Sequence, residues 1–183
     1  MTEHAPVSVP KVEMTVTYLE MRQPPTRNKA RPRPENLVVS HIIEPPLDFY
    51  RYLHDVVGRD MWFERRQFTD AQLRETVYCS TVEVWVPFLD GAPAGLIEFD
   101  FASLPHVELV YFGITAEHIG KGIGGYLLDW SADYVWARGA GRFWLHTCNF
   151  DHANAIPAYR RAGFEVYDTV VSMIDDPRAL GLI

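Results

Sequence analysis

The stretch Val107–Leu128, VELVYFGITAEHIGKGIGGYLL, brings an acid, a run of strand formers, a glycine cluster and the start of an apolar helix into one short segment. A helix begins with backbone N–H groups that have no intrahelical partner, and its dipole adds about half a positive charge at that end. Glycines there let a phosphate approach the main chain, so Gly120-Lys121-Gly122-Ile123-Gly124-Gly125 has the makings of a pyrophosphate cradle. A tight connection between strand and helix would use the same residues. Gly120, Gly122 and Gly125 also satisfy the dinucleotide pattern G-x-G-x-x-G. The preceding strand ends several residues too early for that fold, and the next strand carries no acid for a ribose, since Asp151 follows Cys148. The Lys-Ser or Lys-Thr of a nucleotide-hydrolysing P-loop is missing as well.

Glu108 lies in the strand that leads to this turn. Strand alternation puts it on one face with Val110, Phe112 and Ile114, where an unpaired carboxylate would be costly to bury. A carboxylate there could take the proton that an ammonium must lose before attacking a carbonyl, or it could pair with an arginine. Gly113, inside the same strand, marks a bulge or a close backbone approach. Of the seven histidines, His146 stands in the strand segment LHTC, while His118 and His152 fall in loops. None has metal-ligand spacing, and all are assigned structural or surface roles, with a proton relay at His146 as the lesser alternative. Cys79 and Cys148 lie far apart in ordered segments and read as buried structural thiols.

The elements that position these residues follow from hydrophobic periodicity. Residues 1–11 read as a loose tail, and Val12–Met21 alternates as an outer strand. The basic, proline-rich RQPPTRNKARPRPEN of 22–36 reads as a long exposed loop with almost nothing to bury. Leu37–Ile43 is a short strand, Leu47–Val57 a helix, and Thr69 caps a second helix over DAQLRETVY. Val82–Phe88 and Ala94–Phe101 are strands joined through Asp90-Gly91, a hairpin signal. Strand Val107–Ile114, helix Tyr126–Arg138, strand Arg142–Cys148, helix Ala155–Ala162 and strand Phe164–Ile174 complete the chain. Asn154 is placed as N-cap of the last helix, so that Pro157 falls harmlessly in its first turn. The expectation is an α/β (α+β) fold: one mixed, mostly antiparallel central sheet with flanking helices, in a single domain over 12–183.

With 183 residues, 48% of them apolar and 22% charged, the chain can bury one real core. A net charge of −7 argues against non-specific nucleic-acid binding, because phosphates would repel such a surface. The start MTEHAPVSVPK lacks a secretory pattern and no window approaches a membrane span, so a cytoplasmic protein with no membrane partner is expected.

Across roughly Leu37–Ile174 the chain resembles the GNAT superfamily of N-acetyltransferases. The glycine turn is one motif. The other is NFDHANAIPAYRRAGF, residues 149–164, which resembles the pattern Asn-x-x-Ala-x-x-x-Tyr-x-x-x-Gly-Phe with Ala155, Tyr159, Gly163 and Phe164 in register and His152 in the asparagine place. The resemblance implies that the glycine turn binds the pyrophosphate of acetyl-coenzyme A, mainly through backbone amides. Ile119 occupies the place where the family has Gln or Arg, and its side chain cannot hydrogen-bond. It further implies that Phe112, Gly113 and Ile114 pair with the pantetheine arm, with the Ile114 amide donating to the thioester carbonyl. Glu108 is then the base, Tyr159 the acid that protonates the departing thiolate, and Asn154 a pantetheine contact. The acceptor pocket falls to the two early helices and their link, with Trp62, Phe63, Arg65 and Arg66 beside Tyr50 and Tyr52. Those side chains could equally staple the helices to the sheet.

The activity so implied is acetyl transfer to a primary amine of a small molecule by direct attack in a ternary complex. A protein lysine or N-terminus as acceptor, and a non-catalytic acyl-coenzyme A sensor, stand as alternatives. A homodimer is left open.

Overall fold

The computed structural model describes residues 9–27 and 31–183. Its strands are β1 (Lys11–Met21), β2 (Leu37–His41), β3 (Val82–Leu89), β4 (Ala92–Pro93), β5 (Gly95–Ser103), β6 (His106–Ile114), β7 (Arg142–Cys148) and β8 (Glu165–Asp175). Its helices are α1 (Leu47–Gly58), α2 (Asp70–Val77), α3 (Ile123–Ala137) and α4 (Ala155–Ala162), with short 3-10 turns at Glu64–Gln67 and Ala116–His118. The strands form one sheet in the order β2-β3-β5-β6-β7-β1-β8, with β4 paired to β3. Among the described residues only the β6–β7 pairing is parallel, as a crossover through α3 requires.

Local chemistry explains the boundaries. Thr69 caps α2 in a reciprocal box, with Gln72 N donating to Thr69 Oγ1 and Thr69 N to Gln72 Oε1. At the tip of the β3 hairpin, Asp90 and Gly91 take φ values of 51° and 82°, the left-handed pair that matches a twisted hairpin. The sheet separates two apolar clusters. Leu19, Phe99, Leu109, Leu127, Phe143 and Phe164 lie on the side of α3 and α4. Tyr50, Leu53, Val84 and Leu96 lie on the side of α1 and α2. Strand β8 is exposed along its length apart from Ile174. Among the described residues, no helix is long and apolar enough to cross a membrane.

Three expectations change. Helix α3 begins at Ile123 rather than Tyr126, because Gly122, left-handed at φ 79°, turns the chain and puts Gly124 and Gly125 into the first helical turn. The described part of 22–36 is pinned rather than free. Arg31 Nη1 donates to Asp129 Oδ1 at 2.6 Å and to Gly125 O at 2.9 Å, Arg27 reaches Asp133 at 2.6 Å, and Arg33 Nε bonds Leu37 O at 2.8 Å. The countercharges are on α3, a hundred residues away, so local composition cannot show them. Cys79 is exposed, in the turn after α2, with Sγ 3.3 Å from Thr81 Oγ1, and Cys148 is only half-buried. The expected tail lies largely outside the described residues, and β1 begins already at Lys11.

Candidate active site

The glycine turn has the shape that phosphate binding needs. Gly120 and Gly122 are left-handed, at φ 82° and 79°, and a Cβ built on either would project into open space. Gly122 is the N-cap of α3 and has no side chain with which to cap it. The first intrahelical bond runs from Tyr126 N to Gly122 O at 3.2 Å. The amides of Ile123, Gly124 and Gly125 therefore precede the ladder and are free to meet an anion. Lys121 and Ile119 are both exposed at the rim, and the Ile119 side chain offers only apolar surface. Thr115 Oγ1 lies 2.7 Å from His118 Nδ1 and holds the link between strand and cradle in place.

The strand before the cradle is half-open. β6 and β7 are in register only at His106–Arg142, Val107–Phe143 and Glu108–Trp144. Beyond those pairs β6 runs on to Ile114 and β7 to Cys148 without pairing, so the sheet opens as a V. Thr115 N donates to Ala94 O on the β5 side at 2.9 Å. Alternation along the strand then turns the amides of Ile114 and Phe112 the other way, into the opening. The Ile114 side chain lies against the cradle, 3.6 Å from where a Cβ on Gly124 would sit. The Phe112 amide is two residues deeper, roughly 7 Å farther from the cradle.

A β-bulge reassigns the faces of β6. Phe99 pairs Leu109 and Glu98 pairs Tyr111, which leaves Val110 as the extra residue. Glu108 is therefore not on the face of Phe112 and Ile114, as simple alternation predicts, but on the opposite face with Tyr111 and Gly113. Phe112 and Ile114 pack toward α3, whereas Tyr111 packs on the α1 side. Glu108 is partly buried, and its Oε1 is 3.3 Å from His146 Nδ1 across the V. That contact is longer than an ideal charge-assisted hydrogen bond. Glu108 holds the His146 imidazole above its ordinary value, against the opposite pull of burial.

Tyr159 is buried on α4 and its ring meets that of Phe112 at 6.3 Å. Burial, and secondarily the nearby Asp151 carboxylate, push its phenol well above the ordinary value, so it holds its proton. Asp151 is fixed in the loop after β7, accepting from Thr147 Oγ1 at 2.5 Å and Cys148 N at 3.0 Å. Asn154 stands at the N-cap position of α4 but makes no capping bond, because its φ and ψ of −86° and 2° are not those of a capping residue. Its exposed side chain is free for another partner.

Of the two readings of the link between the helices, Arg65 and Trp62 take the one that staples helix to sheet. Arg65 Nη1 and Nη2 each donate at 2.7 Å to the two oxygens of the fully buried Glu98, and Tyr50 Oη donates to Glu98 at 2.7 Å. Arg65 is thus engaged in a buried pair with β5 and is not held out to the acceptor as the pocket reading expects. Trp62 packs on Tyr111 at 4.7 Å and on His54 at 5.4 Å. A Cβ on Gly113 would collide with Val57 and come within 3.2 Å of Trp62, so that glycine serves the approach of α1 rather than a bulge. Phe63 meets Phe150, from the loop after β7, at 5.9 Å.

Sequence reasoning missed Tyr111, Asp151 and the partnership of His146 with Glu108. It also missed the aromatic floor beside them, in which Tyr18 and Trp144 lie 5.9 and 6.4 Å from the His146 ring. The bulge at Val110 hides from a period-2 reading that Glu108 shares a face with Tyr111.

Comparison with known proteins identifies the family. Residues 48–164 match the model of the acetyltransferase (GNAT) family. Streptothricin acetyltransferase of Streptomyces lavendulae is 53% identical over 76 residues, 41% of this chain and 40% of that protein. A GCN5-related N-acetyltransferase from Sphaerobacter thermophilus superposes with a TM-score of 0.64 at 18% identity, over 88% of this chain and 51% of its own. An aminoglycoside acetyltransferase from an uncultured soil metagenomic sample gives a TM-score of 0.55 at 16% identity, over 70% of this chain and 88% of its own. The chain thus spans less than half of the streptothricin enzyme's length and about half of the Sphaerobacter chain. The two structural likenesses concern the fold, and the match over 48–164 settles the family: this chain belongs to the acetyltransferase (GNAT) family.

Proposed function

We propose that the protein transfers an acetyl group from acetyl-coenzyme A to a primary amine of a small molecule, by direct attack in a ternary complex. The observation that carries this reading is the V between β6 and β7, whose free amides lead straight to the glycine-headed start of α3. The amides of Ile123, Gly124 and Gly125, with Gly120, Gly122 and Lys121 around them, hold the diphosphate. The open edge at Phe112, Gly113 and Ile114 takes the pantetheine arm, and Asn154 meets it from α4. Because Ile114 abuts the cradle, its amide holds the arm close to the diphosphate. The deeper Phe112 amide is the better placed to donate to the thioester oxygen as charge develops there.

The acceptor enters from the opposite face, where Glu108 and His146 stand at the base of the V. Trp62 and Phe63 form its wall, and Arg65 shapes that wall from behind. Removal of the ammonium proton depends on the Glu108 carboxylate, and the protonated Tyr159 supplies a proton to the leaving sulfur. The acetyl donor contributes a thioester carbonyl, and every other function belongs to the chain. A small-molecule acceptor fits the relatives named for streptothricin and aminoglycoside acetylation.

The test is an acceptor screen with acetyl-coenzyme A, reading free thiol and the mass of the product. A mass gain of one acetyl group on a small amine supports the reading. Release only with peptide lysines or N-termini would move the acceptor to proteins. Coenzyme binding without release for any amine would leave a sensor.

A further inference from the structure

We propose that the imidazole of His146 is the group that takes the proton from the acceptor amine, with Glu108 behind it as the residue that orients the ring and steadies its charge. The inference rests on the acetyl-transfer reading and assigns a group that touches the substrate.

The geometry points this way through the two faces of one ring. His146 Nδ1 is turned to Glu108 Oε1 at 3.3 Å, which leaves Nε2 for a different partner. The imidazole is the more accessible of the two groups, with 41% of its side chain exposed against 23% for Glu108. An acceptor entering over the uncovered face of β7 therefore meets the ring before it meets the carboxylate. His146 lies two residues beyond Trp144, the last residue of β7 paired with β6, so it stands inside the V and not in the closed sheet. Its pairing partner on β1 is Tyr18, and the rings of Tyr18 and Trp144 flank it. Such faces can carry an ammonium ion to the imidazole.

The charges around the ring act in the same direction. Glu108 on β6, Glu64 in the turn after α1 and Asp151 in the loop after β7 all favour its protonated form, with burial opposing them. An imidazole with a carboxylate on one nitrogen and an acceptor on the other is the arrangement that general-base histidines use. The proton bookkeeping closes. Neutral His146, its Nδ1–H directed at Glu108, takes one proton from R–NH3+ on Nε2 and becomes imidazolium. The freed amine forms the N–C bond, the C–S bond breaks, and the sulfur takes a proton from Tyr159. The second nitrogen proton is lost as the amide forms and restores Tyr159 by way of water. His146 then returns its proton to solvent, so one proton is released per turnover.

The test uses the full chain with an amine found to support thiol release. His146→Gln and Glu108→Gln are measured beside His106→Gln, a control at the exposed start of β6, and each variant is checked for coenzyme affinity. The kcat of His146→Gln should fall about 10²-fold at neutral pH with coenzyme affinity retained. The acidic limb of the wild-type kcat/KM profile should coincide with the His146 titration of the free enzyme followed by nitrogen NMR. In Glu108→Gln that limb and that titration should move together to lower pH, because the carboxylate that favours the imidazolium is gone. If His146→Gln keeps wild-type turnover and the same acidic limb, the proposal is wrong and Glu108 acts without the ring. If the wild type releases no thiol with any amine, the transfer reading itself fails and this inference goes with it.

Discussion

Val57 of α1 lies directly against the bare Cα of Gly113 in β6, so closely that a methyl group there would collide with Val57 Cγ1. The contact sets how near α1 and Trp62 come to the strand that borders the V. Gly113→Ala should therefore destabilise the fold by roughly 1–3 kcal/mol, the usual range for overpacking. Adding Val57→Ala should recover part of the loss, and urea unfolding of both variants measures it.

The Arg65–Glu98 pair gives a second prediction. Both side chains are buried and their bonds are bidentate. Removing one partner strands a charge, so Arg65→Ala should cost about 3–5 kcal/mol. The double change Arg65→Met with Glu98→Leu should cost clearly less than the single one. Chemical denaturation of the three proteins checks the order.

A third concerns acid. Burial first, and then Arg65, Arg66 and Arg51, hold the His54 imidazole down at about 3. The unfolded chain protonates this residue near its ordinary 6.5, whereas the folded protein does not. Stability is therefore lost as pH falls below about 6.5, by about 2 kcal/mol at pH 5 from this one group. His54→Phe should flatten the fall in Tm between pH 7 and pH 5, read by calorimetry.

The cradle makes a separate claim about binding. A Cβ on Gly124 would make only an ordinary contact, 3.6 Å from Ile114 Cδ1, so Gly124→Val should fold. Its branched side chain beside the first-turn amides should weaken coenzyme A at least about tenfold, or about 1.4 kcal/mol. Titration calorimetry with coenzyme A compares the variant with the wild type.

Tyr159→Phe keeps the buried ring and removes only the hydroxyl, so stability should change little while transfer falls about 10²-fold. The phenol is pushed well above its ordinary value by burial. It stays protonated through neutral and mildly alkaline pH, so turnover should show no decline there from its ionisation. A pH–rate profile to about pH 9.5 checks both statements.

Much of this arrangement is visible in the chain itself. The strand run Val82–Phe88, the Thr69 cap and the Asp90-Gly91 turn depend on neighbours in sequence, and the structure keeps them. The glycine cradle is legible for the same reason. What escaped depends on partners far away in the chain. Arg31 finds Asp129, Arg65 finds Glu98, and neither pairing leaves a local trace. The bulge at Val110 is set by the register of β5, and one unpaired residue was enough to move Glu108 to the other face of the sheet. Asn154 has the right type for a cap but the wrong backbone angles, which the residue type alone does not reveal.

The most direct test of the central claim is amide hydrogen exchange with and without saturating acetyl-coenzyme A. If the coenzyme lies in the V, the amides of Phe112 and Ile114 and of residues 123–125 will slow, while that of Thr115, already bonded to Ala94, will change least. Unchanged rates at Phe112, Ile114 and the first turn of α3 in folded protein would contradict the account.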